Sequence, residues 1–479
     1  MNKFTDYGLE ETIIDAVKDL GYEQPTAIQE LVLPQVLAGQ DVLAKSQTGS
    51  GKTAAYAIPI SNNIDWTENK PQALILTPTR ELAVQVMEDF TNIGRYKRIK
   101  AVAIYGKQPI KFQIAALRQK THIVAGTPGR VMDHIERETI NFDKIQYLVI
   151  DEADEMLNMG FIEQVEKIIK KLPTDRKTLL FSATFPEAIK RLAKKYMIEP
   201  VLLEAAGNQS KVSTIRHEVI EVPEEMKYDT FRKVTTAENP DSCIVFCRTK
   251  DQVAKVCDNL TEDGYSVDML HGGMTQDDRL AVMNDFRKGD FRYLVATDVA
   301  ARGIDIDHIT MVVQYDLPLE KESYVHRAGR TGRAGKEGKV ITFVTPYEGK
   351  FLHSIEEFIG FKINRVNLPT SEQVALNIEA FKKKMATLPE RKIAKKDQLN
   401  DHITKLYFNG GKKKKIRAID FVGTLTNIDG IDGQDIGIIT IQDSCTFIEI
   451  LNDKGHIVLK AMQNKTVKNK QLKVHIAKK

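Results

Sequence analysis

DVLAKSQTGSGKTAAYAI, residues 41–58, decides the fold. An apolar run ending at Ala44 gives way to a small polar turn with Gly49 and Gly51, and an alanine-rich stretch follows. Strand, glycine turn and helix in that order predict an α/β unit whose turn faces an anion. The phosphate-loop pattern G-x-x-x-x-G-K-[ST] closes at Gly51-Lys52-Thr53, with Ser46 standing at its first glycine. Backbone N–H groups of Ser46, Gln47, Thr48, Gly49, Ser50 and Gly51 are expected to wrap phosphate, aided by the helix dipole. Lys52 would reach the β and γ phosphates, and the Thr53 hydroxyl would hold Mg²⁺.

A second stretch, YLVIDEADEML at 147–157, supports this. The buried-strand pattern Tyr147 to Ile150 runs directly into Asp151, Glu152, Asp154 and Glu155. Carboxylates this close repel one another and call for a positive partner. Asp151 is expected to hold the Mg²⁺ on a bound nucleotide, and Glu152 to orient and deprotonate the attacking water. Asp154 and Glu155 also suit the N-terminal end of a helix.

Around these stretches the chain alternates apolar runs with amphipathic segments. DVLAKS, QALILTP, KAVAIYG, THIVAGT, YLVIDE and KTLLFSAT come first. After a polar break near residues 205–217 the rhythm restarts with SCIVFCR, SVDMLHG, FRYLVATD, TMVVQYD and KVITFVT. Such a pattern predicts two parallel sheets in tandem, each covered by helices on both faces. Thr77, Thr127, Asp151, Ser182 and Thr297 all fall at carboxyl ends of these runs, where open parallel sheets bind ligands. The expected divisions are 1–205 for a nucleotide-binding domain, 215–365 for a second sheet domain, 366–403 for a charged helical connector and 404–479 for a small α+β module.

A length of 479 residues requires several cores, and 42% apolar with 28% charged residues describes a globular protein. No apolar run reaches bilayer length, so no membrane partner is expected. Cys243 and Cys247 share one side of a strand and lack a matching pair, so the four cysteines are expected to be buried thiols in a cytoplasmic protein. From Arg391 onward, 18 Lys+Arg stand against 9 Asp+Glu, leaving 51 against 56 in the rest of the chain. A basic tail on an acidic body points to a polyanion. In that tail, Lys412 to Lys415 and Arg417 are the expected contacts to that polyanion, and IRAIDFVGTL is expected to be a strand. GIITIQ, TFIEIL and QLKVHIA supply further strands, with a helix in DKGHIVLKAMQN.

The residues Asp151-Glu152-Ala153-Asp154 spell DEAD, and over about residues 4–345 the chain resembles the DEAD-box RNA helicases. That resemblance implies two RecA-like domains and RNA-stimulated ATP hydrolysis coupled to local strand separation. It implies that Gln29, in GYEQPTAIQ, bonds the adenine of ATP and that Phe4 covers its ring. PTRELA with Pro78, Thr79 and Arg80, Gly106 in YGKQ, and TPGR with Thr127, Gly129 and Arg130 resemble RNA-gripping motifs. The family often has a second glycine where Lys107 stands.

Ser182 and Thr184, with Asp154 and His326, would couple hydrolysis to unwinding. Arg248 and Thr297 would contact RNA from the second domain, Asp305 would touch the ribose, and Arg330 and Arg333 would be arginine fingers. Independently of the family, the crowding of His326, Arg327, Arg330 and Arg333 into HRAGRTGR suits a polyanionic ligand better than a solvated turn.

The tail resembles an RNA-recognition motif, with IRAIDFVGTL at its RNP2 strand and SCTFIEIL at RNP1. The combination resembles family members directed to a hairpin of 23S ribosomal RNA near the peptidyl-transferase centre. It implies a monomer that acts in large-subunit assembly. An ATP-gated clamp or chaperone on other structured RNAs is the alternative, and an unwinding assay separates the two.

Overall fold

The computed structural model describes residues 2–45, 49–204, 215–298, 309–332, 337–389 and 402–477. The expected site residues Ser46, Gln47, Thr48, Asp305 and Arg333 lie outside the described residues.

The first domain is a parallel sheet of seven strands. They are β1 (Val42–Lys45), β2 (Ala73–Leu76), β3 (Ala101–Ile104), β4 (Ile123–Gly126), β5 (Tyr147–Ile150), β6 (Lys177–Ser182) and β7 (Val201–Glu204), in the order β3-β4-β2-β5-β6-β1-β7. Their side chains split by alternation. Ala73, Ile75, Val149, Leu179 and Phe181 enter one core with Tyr56, Phe90 and Val32, whereas Leu74, Leu76, Leu148, Ile150 and Leu180 enter the other with Val165, Ile168 and Leu192. Burial on both faces explains why these strands read as unbroken apolar runs.

The second domain repeats the design with β8 (Ile215–Glu221), β9 (Cys243–Cys247), β10 (Val267–Leu270), β11 (Tyr293–Thr297), β12 (Met311–Gln314), β13 (Gly338–Val344) and β14 (Asn364–Arg365). Its order, β10-β11-β9-β12-β13-β8-β14, matches the first sheet strand for strand. Cys243, Cys247 and Cys257 are buried free thiols in one core of this sheet, and Cys445 is a buried free thiol further along the chain. Within the residues expected as a connector, the helix Ser371–Met385 packs on this domain. Phe381 enters the same core, and Asn377 donates to the Ala237 carbonyl at 2.9 Å. Among the described residues, no helix is long and apolar enough to cross a membrane.

The C-terminal module holds an antiparallel sheet of β15 (Thr404–Phe408), β16 (Ile436–Ile441), β17 (Thr446–Ile450) and, beyond a small hairpin of β18 (Thr466–Val467) and β19 (Lys470–Gln471), β20 (Val474–Ile476). The order is β16-β17-β15-β20. Here one expectation fails: IRAIDFVGTL is not a strand, and Ala418–Leu425 within it is a helix. Ala418, Phe421, Val422 and Leu425 recur at helical spacing, so Phe421 and Leu425 enter the core with Phe408 and Ile448 while Ala418 and Val422 pack against it. Asp420 caps its start by accepting from the Arg417 N–H at 2.8 Å. The strand that opens the module is instead β15, ahead of the lysine run.

Candidate functional site

The phosphate loop leads into the helix Lys52–Asn63 through Gly51, whose φ of +89° lies in the left-handed region that favours glycine. A Cβ on Gly51 would lie 2.7 Å from the Gln29 amide nitrogen. Gln29 itself bridges two backbones: its Nε2 donates to the Gly51 carbonyl at 3.1 Å, and its Oε1 accepts from the Thr26 N–H at 2.9 Å. The capping box of the helix Ala27–Leu37 therefore fixes the mouth of the loop. Lys52 is buried at the first turn beyond it. Phe4 is packed into the first domain's core from the short helix Phe4–Tyr7.

Two strands away, β5 delivers the acids. Asp151 is buried; its Oδ2 accepts from the Tyr56 phenol at 2.9 Å, and its Oδ1 has no hydrogen-bond partner among the described residues. Thr53 lies beside the same hydroxyl, so one phenol sits between the loop threonine and the strand carboxylate. Burial, then the charge of Asp151, pushes the Tyr56 pKa well above its ordinary value, which keeps the phenol a neutral donor. Tyr56 does not stand out in the sequence. Its signal is position alone: it lies one helical turn beyond Lys52-Thr53, on the same face. An orphaned buried carboxylate oxygen beside a threonine is a donor set that suits a hard cation sharing its shell with water and phosphate.

Glu152 follows with φ +52° and ψ +53°, a left-handed conformation in a non-glycine residue at the start of the helix Ala153–Asn158. Strain of this kind persists where surrounding structure enforces it, commonly at reactive centres. Asp154 turns the other way and accepts from Thr184 twice, from its N–H at 2.9 Å and its hydroxyl at 3.0 Å. Ser182 accepts from the Asp154 N–H at 3.3 Å and donates to the Thr184 carbonyl at 2.6 Å. The third acid of the DEAD run is thus tied to the end of β6.

On the other side of β5 lie the residues expected to meet RNA. Thr79 caps the helix Arg80–Ile93 by accepting from the Leu82 N–H at 3.3 Å, just beyond Pro78 at the end of β2. Thr127 precedes the helix Pro128–Glu136 at the end of β4, and Arg130 donates to the Gln108 carbonyl at 2.9 Å and to Gln113 at 3.0 Å. That bond secures the YGKQ turn, where exposed Lys107 adopts φ +64°. The turn thus asks for the glycine-like conformation and takes it with a lysine. Gly106 faces Arg80, whose Nη2 would lie 3.6 Å from a Cβ there. One sheet edge therefore runs from Gly129 and Arg130 through Arg80, Asp151 and Ser182 to Lys52, in the strand order β4-β2-β5-β6-β1.

In the second domain, Thr297 ends β11 opposite Cys247, and Arg248 follows Cys247 at the end of β9. The helix Lys321–Ala328 carries His326, whose carbonyl accepts from the Arg330 Nε at 3.1 Å.

In the C-terminal module, Lys412–Lys414 form one tight turn and Lys415 follows at φ +55°. Lys412, Lys413, Lys415 and Arg417 are exposed, whereas Lys414 is half-buried and donates to the Asn409 carbonyl. Phe421 is core, but Phe447 is not: it lies on the outer sheet face across from Tyr407 of β15, which neighbours His475 of β20. Tyr407 and His475 rings are 4.4 Å apart. The sequence expectations pass over Tyr407 because they place the opening strand in IRAIDFVGTL, and His475 falls in the expected strand QLKVHIA without being singled out.

Residues 26–192 match the DEAD/DEAH box helicase family model, residues 226–335 the helicase conserved C-terminal domain, and residues 405–476 the DbpA RNA binding domain. The chain is 58% identical over 479 residues to the ATP-dependent RNA helicase DbpA of Bacillus subtilis, covering 100% of both. It is 44% identical over 373 residues to the DEAD-box ATP-dependent RNA helicase CshA of Geobacillus kaustophilus, spanning 78% of this chain and 80% of that one. Among solved structures, S. cerevisiae Dbp5 bound to RNA and ADP BeF3 superposes with a TM-score of 0.72 at 31% identity, over 80% of this chain and 100% of that one. An RNA-stimulated ATPase on two parallel-sheet domains with an RNA-binding tail follows, and the chain belongs to the DEAD-box ATP-dependent RNA helicases of the DbpA type.

Proposed function

We propose that this helicase separates short RNA duplexes within 23S ribosomal RNA during assembly of the large ribosomal subunit, working as a cytoplasmic monomer. The observation that carries the chemical part is the continuous edge of the first sheet: phosphate loop and acids at β1 and β5, RNA-facing arginines at β2 and β4, and the Asp154–Thr184 bond just beyond the end of β6, the strand between β1 and β5.

Gln29 and Phe4 take the adenine, and residues 46–51 wrap the phosphates of ATP. Thr53 and Asp151 would hold Mg²⁺, which when bound neutralises charge on the phosphates. Glu152 orients the attacking water and accepts its proton. Lys52 and the arginines Arg330 and Arg333 stabilise charge on the transferred group, with Asp305 on the ribose. Pro78, Thr79, Arg80, Gly106, Thr127, Gly129 and Arg130, with Arg248 and Thr297, grip the RNA through phosphates and 2′-hydroxyls, so the core reads little sequence. Asp154, Ser182, Thr184 and His326 transmit the state of the nucleotide to that grip.

Choice of RNA falls to residues 404–479. Lys412, Lys413, Lys414, Lys415 and Arg417 supply phosphate contacts, and the Tyr407–Phe447 face offers a surface for unstacked bases. The target is proposed from the kinship with DbpA together with these features. The test compares ATP turnover stimulated by a 23S fragment carrying the peptidyl-transferase-centre hairpin with turnover stimulated by an unrelated hairpin of equal length. Preference of the full chain for the first supports the proposal; equal stimulation removes the ribosomal assignment and leaves the helicase.

A further inference from the structure

The second domain contains a chain of buried charges that lies mostly outside the residues assigned so far. Lys227 is the first residue of the helix Lys227–Glu238, where a positive charge opposes the helix dipole. Its side chain is nevertheless 1% exposed. Its ammonium donates to Asp316 Oδ1 at 2.9 Å and pairs with Glu224 at 2.7 Å. Burial alone would lower its pKa, yet the two carboxylates hold it above the ordinary lysine value, so it stays charged.

Asp316 distributes that anchorage. Its Oδ2 accepts from the Arg248 N–H at 2.9 Å, and its carbonyl accepts from Arg327 Nη1 at 2.6 Å. Arg327, 2% exposed, then grips Asp298 with two bonds at 2.5 and 2.7 Å and lies over the Phe246 ring. Asp298 adjoins Thr297, and Arg327 adjoins His326 on the helix that leads to Arg330. The Arg248 guanidinium is in turn held by the Leu317 carbonyl at 3.0 Å and Glu348 at 2.8 Å. Every link is a charge-assisted bond or a bond to backbone, and the bonds of Lys227 and of Arg327 to Asp316 are buried. Ions held this way add little net stability over an apolar substitute but fix one geometry.

We infer that Lys227 and Asp316 are positioning residues for RNA activation: they hold Arg248 and Thr297 in fixed register with the helix that bears His326 and precedes Arg330. Neither touches substrate. Both act through Arg248 and Arg327. The inference rests on the assignment of Arg248 to RNA proposed above.

The test uses the full chain and the double variant Lys227→Met with Asp316→Asn. The introduced amide oxygen can still accept from the Arg248 N–H, and no unpaired charge is left buried. ATP turnover is titrated with a single-stranded RNA of mixed sequence at saturating ATP, beside Lys227→Arg and Arg248→Ala. The double variant should need about fivefold or more RNA for half-maximal activation, with nucleotide affinity in the absence of RNA within about twofold of wild type. Lys227→Arg, which keeps the charge, should retain most of the wild-type activation.

An activation curve superimposed on wild type, beside a displaced curve for Arg248→Ala, overturns the inference and spares the role of Arg248. Superimposed curves for both variants overturn the two together. Should the double variant fail to fold, Asp316→Asn alone is read by the same titration and decides on the same outcomes.

Discussion

The Tyr56 hydroxyl donates to Asp151 Oδ2 at 2.9 Å, inside a core where neither residue is more than 2% exposed. The bond spans from the helix behind the phosphate loop to the end of β5, so it fixes the free Oδ1 oxygen relative to Thr53. Removing it by Tyr56→Phe keeps the ring packed against Phe90 and Phe181. A lost hydrogen bond to a charged group is worth about 1.5–3 kcal/mol, so the Mg²⁺ concentration for half-maximal turnover should rise about tenfold or more. A Mg²⁺ titration of RNA-stimulated ATPase checks this.

Lys52 and Glu152 should separate binding from chemistry. Lys52→Ala is expected to abolish turnover and weaken ATP binding. Glu152→Gln should leave ATP binding within about threefold and lower the rate by about 10²-fold or more, as expected for loss of a general base. Equilibrium binding of a fluorescent ATP analogue, set beside steady-state turnover, distinguishes the two.

Thr184→Val removes one of the two bonds to Asp154 while the Thr184 N–H bond at 2.9 Å remains. RNA-stimulated ATPase should stay within about threefold, while duplexes separated per ATP should fall about tenfold. A gel-based unwinding assay run beside the ATPase gives that ratio.

Gly411→Ala should disable the tail. A Cβ there would sit 2.0 Å from the Gln442 carbonyl oxygen and 2.8 Å from that of Cys445, and both atoms are backbone. Gly411 precedes the Lys412–Lys414 turn, which is itself anchored by Lys412 N–H to the Gln442 carbonyl at 2.9 Å. Overpacking of this kind costs about 1–3 kcal/mol or more, so the module should melt earlier and RNA preference should fade. Melting followed by near-ultraviolet circular dichroism, with competition between hairpins, measures both. Deleting residues 404–479 should leave RNA-stimulated turnover without preference, measured with the same pair of hairpins.

The two sheets were legible because residues buried on both faces, such as Leu74 to Leu76 or Ile244 to Phe246, leave uninterrupted apolar runs with polar ends. β7, β8 and β14 were not: Val201–Glu204 and Asn364–Arg365 are edge strands in which only Leu203 is buried, and Ile215–Glu221 buries only Glu218, Val219 and Ile220. The acids and HRAGRTGR stand out in the sequence through charge that a plain surface would not tolerate, and the loop through its glycines. Tyr56 and Lys227 did not: one reads as a core aromatic and the other as a surface lysine until tertiary structure supplies Asp151 and Asp316. In the tail, the resemblance of IRAIDFVGTL to an RNP2 strand suggested a strand, whereas the helical spacing of Ala418, Phe421, Val422 and Leu425 decided the outcome.

The central claim is that hydrolysis needs residues from both sheet domains. Its most direct measurement is RNA-stimulated turnover of the full chain carrying Arg330→Ala and Arg333→Ala, with ATP binding measured in the same preparation. Turnover should fall about 10³-fold or more while ATP still binds, the scale of a lost arginine finger. Turnover at the wild-type rate would contradict the claim.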